Sequence, residues 1–248
     1  MIEIEELYKS FDGFEVLKGI SLRIDKGEIL VLIGRSGYGK SVILKHIAGL
    51  MKPDRGRVVV DGKDVGKLKG KDLSQLRSRL GFLFQGGALF GSMSVFDNVA
   101  FPLQEKARLS KEEIRKRVIY ELDQVGLSGA EEKYPSQLSG GMQKRVALAR
   151  ELVWEPEIML FDEPTTGLDP IIGHAILNLI ENLHKQLNFT GIIVTHEIAR
   201  VFGIVSKVAM IHEGVIKAVG PPEDILSSED PIVRQFIKGE IDGPVSYR

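Results

Sequence analysis

The sequence predicts an α/β protein in which buried strands alternate with helices, with an antiparallel strand pair at its start and an all-helical insertion in its middle. Three observations carry that prediction. The apolar run Ile29-Leu30-Val31-Leu32-Ile33 leads into Gly34-Arg35-Ser36-Gly37-Tyr38-Gly39-Lys40-Ser41 and then into a helical stretch from Val42 to Leu50, the order strand, glycine loop, helix. Two further apolar runs, Ile158-Met159-Leu160-Phe161 and Gly191 to Thr195, deliver Asp162-Glu163 and His196 at their ends. Between Phe90 and Trp154 helical periodicity replaces strand patterning.

Composition narrows the class. The chain has 248 residues, 43% of them hydrophobic and 27% charged, enough for one sizeable core. A formal net charge of -1 gives no electrostatic case for binding nucleic acid across the whole surface and leaves only local basic patches open to it. The absence of cysteine excludes disulfides and thiolate metal sites and suits a reducing compartment. No apolar stretch approaches the ~20 residues of a membrane helix, and the start Met1-Ile2-Glu3-Ile4-Glu5-Glu6 lacks the basic and apolar regions of a signal peptide. Service at a membrane would therefore run through a partner.

In chain order, Ile2 and Ile4 followed by Leu22 and Ile24, with turn signals at Asp12-Gly13 and Lys26-Gly27, read as an antiparallel pair. Phe11, beside the first turn, is either a core ring or a ring available to stack on a base. The loop 34–41 satisfies G-x-x-x-x-G-K-[ST]. Its glycines let backbone N–H groups point inward, Lys40 can reach the β- and γ-phosphates, and Ser41 can ligate Mg²⁺. Arg57 to Val60 is a short strand, Asp72 to Arg79 a helix, and Leu80 to Phe84 a buried strand ending at Gln85 before Gly86-Gly87. The Gln85 amide either touches Mg²⁺ or the attacking water, or is a solvated loop side chain.

Ser110 with Glu113 forms a capping box ahead of the apolar face Ile114, Val118, Leu122 and Val125. Leu138-Ser139-Gly140-Gly141-Met142-Gln143 opens a further helix, a second place where a helix start can meet an anion. Asp162 and Glu163, adjacent at a strand end, point different ways, so Asp162 is assigned to Mg²⁺ and Glu163 to polarising the nucleophilic water, against the bland reading of a surface acid pair. Asp169-Pro170 caps a helix expected to bury Ile172, Ile176, Leu179, Ile180 and Leu183. His196, at the end of a central strand, is placed to sense a γ-phosphate or is structural. Val208 to His212 and Val215 to Val219 form a hairpin, Asp230-Pro231 caps a last helix to Gly239, and Glu240 to Arg248 is expected to be an extended tail, frayed or strapped across a partner subunit.

The ordered set Gly34 to Ser41, Gln85, Leu138-Ser139-Gly140-Gly141, Ile158 to Glu163, Gly167-Leu168-Asp169 and His196 resembles the ATPase subunits of ABC transporters over nearly the whole chain. The resemblance implies a P-loop NTPase fold of the ABC type, with a RecA-like core, an antiparallel β subdomain and an inserted helical subdomain. It implies one ABC ATPase domain over 1–248: RecA-like and β core at about 1–86 and 156–226, helical subdomain at about 87–155, C-terminal helix and tail at about 227–248. It further implies ATP and Mg²⁺ as cofactors and a homodimer that sandwiches two ATP molecules. In that arrangement Ser139 and Gly141 bind the γ-phosphate in trans, Gly140 belongs to the same nucleotide-binding turn, and Phe11 stacks on adenine. Gln85, Asp169 and His196 are then the Q-loop, D-loop and switch residues.

The departures from the family pattern are Val42 in place of a second hydroxyl, costing ~1 kcal/mol of hydrogen bonding, Met142 in place of the usual glutamine, and the bulky Tyr38. Together with Gln85-Gly86-Gly87-Ala88-Leu89-Phe90, Val95 to Leu103 and Asp242-Gly243-Pro244-Val245, they are similar to the Mla/Mce branch, which moves phospholipid between bacterial envelope membranes. That branch implies an integral membrane permease, an Mce-domain protein, a STAS-domain protein, and a peripheral place on the cytoplasmic face of the inner membrane. The alternatives are an ABC ATPase driving lipoprotein release or division-site remodelling, and a soluble ABC protein of ribosomes or DNA. A single cassette with a short insertion argues against the last.

Overall fold

Two-residue turns with both backbones in the left-handed region organise the first part of the computed structural model, which describes residues 1–106 and 109–245. Strands β1 (Ile2–Phe11) and β2 (Phe14–Ile24) meet through Asp12 (φ 49°) and Gly13 (φ 81°), the tight turn whose twist matches paired strands. Ile2 faces Ile24 and Ile4 faces Leu22, as the alternation predicts. After β3 (Ile29–Ile33) and α1 (Lys40–Ile47) come β4 (Arg55–Val60) and β5 (Lys63–Asp64), then α2 (Gly70–Arg77) and β6 (Leu80–Leu83). Helices α3 (Val95–Lys106), α4 (Lys111–Gln124) and α5 (Gly140–Leu152) precede β7 (Ile158–Asp162), α6 (Pro170–Leu187) and β8 (Thr190–Val194). The chain continues through α7 (Ile198–Val201), the hairpin β9 (Lys207–His212) and β10 (Val215–Gly220), α8 (Pro222–Leu226) and α9 (Pro231–Lys238). Most bounds fall within a residue or two of those read from the sequence, the usual uncertainty of frayed ends.

The chain divides into two compact units, residues 1–74 with the chain from 190 onward, and residues 75–189. In the first, β2-β1-β4-β5 form an antiparallel sheet. A second sheet in this unit runs β10-β9-β3-β8, with β3 parallel to both β9 and β8. All five residues of β3 and of β8 are buried, which explains why both read as unbroken apolar runs instead of alternating ones. In the second unit β6 and β7 pair in parallel among α3, α4, α5 and α6. Among the described residues no helix is long and apolar enough to cross a membrane.

Two expectations are corrected here. Helix α6 buries Gly173, Ile176, Leu177, Ile180 and Leu183, while Ile172 is 36% exposed and Leu179 half-buried. The stripe starts on a glycine, which contributes no side chain to an apolar count. The tail is not extended as far as Val245: the buried Gln235 amide accepts from the Val245 N–H at 2.8 Å and donates to its carbonyl at 3.1 Å, drawing the segment back onto α9. Residues 246–248 of the predicted tail lie outside the described residues.

Candidate functional site

In the first unit the loop 34–41 joins β3 to α1. Gly34 has φ 142°, and a Cβ there would meet the Ile211 carbonyl of β9, so only glycine lets the strand turn away at this point. Gly39, at φ 87°, precedes α1 and offers no side chain to cap it, and the first turn of α1 contains no acidic residue. With neither a side-chain cap nor an acidic residue to oppose it, the positive dipole end of the helix gives this loop the electrostatics of an anion site. The buried Lys40 ammonium donates to the carbonyls of Gly34 at 2.7 Å and Arg35 at 2.9 Å, folding the loop around its own cation.

Tyr38, conspicuous in the sequence for its bulk, packs edge-on against His212 with ring centroids 5.4 Å apart, and Arg35 lies 5.9 Å from its ring. Beneath the loop, fully buried His46 bonds through Nδ1 to the Val42 carbonyl at 2.7 Å. Burial holds its pKa below the ordinary histidine value. Neither histidine was singled out in the sequence. Their signals, a histidine at i+4 from Val42 and another at a strand end, acquire meaning only with the fold.

The pairing Leu32↔Val194 aligns β3 and β8, so Gly34 and exposed His196 follow their strands at the same sheet end. The Thr195 hydroxyl accepts from the Glu197 N–H at 3.0 Å and turns the chain just there. Phe11 is 39% exposed with Lys9 Nζ 5.7 Å from its ring centre, which removes the core-ring reading and leaves a ring open to stacking.

In the second unit the pairing Leu83↔Phe161 brings Gln85 and the pair Asp162-Glu163 out at one end of β6 and β7. Both acids are buried, against the surface-pair reading. Glu163 has φ 52°, a left-handed pose uncommon for a side-chain-bearing residue, and it is held by Thr166, whose N–H donates to the Glu163 carbonyl at 3.2 Å and whose hydroxyl donates to its carboxylate at 3.2 Å. Lys144 of α5 donates to the Gln85 carbonyl. Burial lowers the Lys144 pKa, opposed by the charges of Asp162 and Glu163. Arg150, six residues further along α5, donates to the carbonyls of Ala88 at 2.7 Å and Gly87 at 3.0 Å. The segment 85–88 is thus gripped by two cations from the helix that starts at Ser139.

That helix start is finely fitted. The Ser139 hydroxyl accepts from the Met142 N–H at 3.3 Å, Gly140 has Leu168 beside it, and a Cβ on Gly141 would come within 2.5 Å of Ile172 Cγ2. Asp169 accepts from the N–H groups of Ile171 and Ile172 at 3.0 and 3.1 Å, the cap expected of it. Sequence reasoning missed the fully buried Asn98, whose amide bonds the Phe90, Met93 and Ser94 carbonyls and the Phe90 N–H, fixing the loop before α3.

The ABC transporter family matches residues 17–166. The intermembrane phospholipid transport system ATP-binding protein MlaF of Haemophilus influenzae is 42% identical over 248 residues, covering 100% of this chain and 94% of that protein. The probable ribonucleotide transport ATP-binding protein mkl of Mycobacterium tuberculosis is 43% identical over 244 residues, covering 98% of this chain and 68% of that protein. Among solved structures, the dimeric post-hydrolysis ATP-binding cassette MJ0796 bound to ADP and Pi has a TM-score of 0.82 and 33% identity, covering 90% of this chain and 99% of that one.

Proposed function

Because the chain belongs to the ABC transporter family of ATP-binding, ATP-hydrolysing subunits, we propose that it powers phospholipid movement across the bacterial cell envelope in an Mla/Mce-type transporter. The observation that carries this reading is the 42% identity to an intermembrane phospholipid transport ATPase along the entire chain. Lys40, with the N–H groups of 34–42, takes the phosphates, and Phe11 stacks on adenine. Ser41, Asp162 and Gln85 supply oxygens to Mg²⁺, a hard cation suited to hydroxyl, carboxylate and amide ligands. Glu163 polarises the attacking water, and His196 reads the γ-phosphate. The uncapped start of α1 supports the phosphate role, and the burial of two adjacent acids supports theirs.

In this reading two copies sandwich ATP, each P-loop facing Ser139, Gly140, Gly141 and Asp169 of the other copy. The pair docks peripherally on a permease at the cytoplasmic face of the inner membrane, with Mce-domain and STAS-domain partners. Purification from native membranes followed by lipid analysis tests the reading. Co-purification of an integral subunit with bound phospholipid, and ATP-dependent transfer of labelled phospholipid between vesicles, are expected. The name of the mycobacterial relative favours a second cargo, a ribonucleotide. Transfer of labelled ribonucleotide in place of lipid would establish that reading and overturn the first.

A further inference from the structure

Helices α4, α5 and α6 enclose a cavity of about 430 Å³, walled by Leu152, Leu183 and Leu187 and lined by the acids Glu121 and Glu155. Glu155 is engaged by the Arg117 guanidinium. Glu121 is only 6% exposed, and the nearest charges acting on its carboxyl are Arg117 and Glu155. No lysine or arginine is among the described residues of the lining. The carboxyl oxygens therefore face the cavity space, where a donor entering from outside can reach them. Burial pushes its pKa up to about 7, the Arg117 charge opposing and the Glu155 charge adding to the rise.

Leucine walls beside the Glu121 carboxyl, with the amides of Gln124 and Gln186 at the lining, match a long alkyl stem ending in an ammonium group. The surface around the cavity argues for a macromolecular source of that group. Tyr120 is 59% exposed and Leu187 44% exposed, and a second groove of about 560 Å³ runs along α4, where Ile119 and the same Tyr120 lie among the charged Glu112, Arg115, Lys116 and Asp123. Exposed aromatic and aliphatic side chains around a carboxyl recessed in a cavity form the anatomy of an interface anchor, and they extend beyond what a small amine would cover. We propose that the Glu121 cavity receives a lysine side chain from a partner protein. The inference rests on the membrane-complex reading only for where that partner is found.

The test has two arms on the full-length protein. In the first, the Glu121 carboxyl is titrated by carbon-13 NMR with n-butylammonium chloride, against n-butanol at matched ionic strength. The amine is expected to lower the apparent pKa by at least ~1 unit, and the alcohol to leave it in place; equal titrations would overturn the pocket. In the second, a zero-length carbodiimide coupling is applied to the complex purified from native membranes. An amide between Glu121 and a lysine of another polypeptide is expected, and it should vanish in Glu121→Gln. A cavity that takes butylammonium while the complex couples only through other acids would overturn the protein source. Recovery of no membrane subunit would speak against the transporter reading, and the first arm would still decide the pocket.

Discussion

At the scale of single residues, Glu163 combines burial, a left-handed backbone and a hydroxyl donor from Thr166, three constraints that fix where its carboxylate points. Glu163→Gln keeps the size and the Thr166 contact while removing the carboxylate proposed as the base. ATP affinity is expected to be retained and turnover to fall by roughly 10²–10⁴-fold, the usual contribution of a general base; single-turnover phosphate release measures it. Lys144 makes a different prediction because it acts through the Gln85 carbonyl. Lys144→Met should lower turnover about tenfold while leaving ATP affinity unchanged, the signature of a residue that positions others. A parallel loss of affinity would instead place Lys144 in the nucleotide's own binding shell.

At the scale of elements, α4 is expected to make stability depend on pH through Glu121. Its folded pKa, raised to about 7 by burial, exceeds the ordinary value of 4.5. The folded state therefore holds a proton that the unfolded state has released between those pH values, and stability falls as pH rises through that window. Glu121→Gln should remove the decline and raise Tm at pH 8 by ~2–4 °C per kcal/mol of burial cost relieved; thermal melts of both proteins at pH 5 and pH 8 check this. The elements also mark what could be read in advance. The loop 34–41, the acids after β7 and the cap at Asp169 were legible because each works through backbone and residues adjacent in sequence. The edge contact of Tyr38 on His212, the seating of His46 under Val42 and the grip of Lys144 and Arg150 on 85–88 were not, since each joins distant stretches that local periodicity cannot relate. The α6 stripe was misread for a related reason: Gly173 belongs to it and carries no hydrophobic signal.

At the scale of the whole molecule, the α1 start and the α5 start differ in a way that bears on assembly. The α1 start has no side-chain cap, whereas the α5 start is capped by Ser139 yet packed so closely that Gly141 admits no Cβ beside Ile172. If one copy supplies the first to ATP and a second copy supplies the other, the symmetric pairing places each defect in a predictable site. A Lys40→Ala chain is defective in its P-loop and a Ser139→Ala chain in its signature turn, so each homodimer has two damaged sites. Mixed in equal amounts, half of the dimers are hybrids, and each hybrid has one wild-type site and one doubly damaged site. With independent sites, the mixture should recover about a quarter of wild-type ATPase activity from two inactive preparations. If both sites must fire together it recovers none, and trapping radiolabelled ATP in the same mixture, on a Glu163→Gln background, then separates the cases. One occupied site per hybrid places the two motifs in trans, whereas no occupied site in any dimer returns them to a single chain.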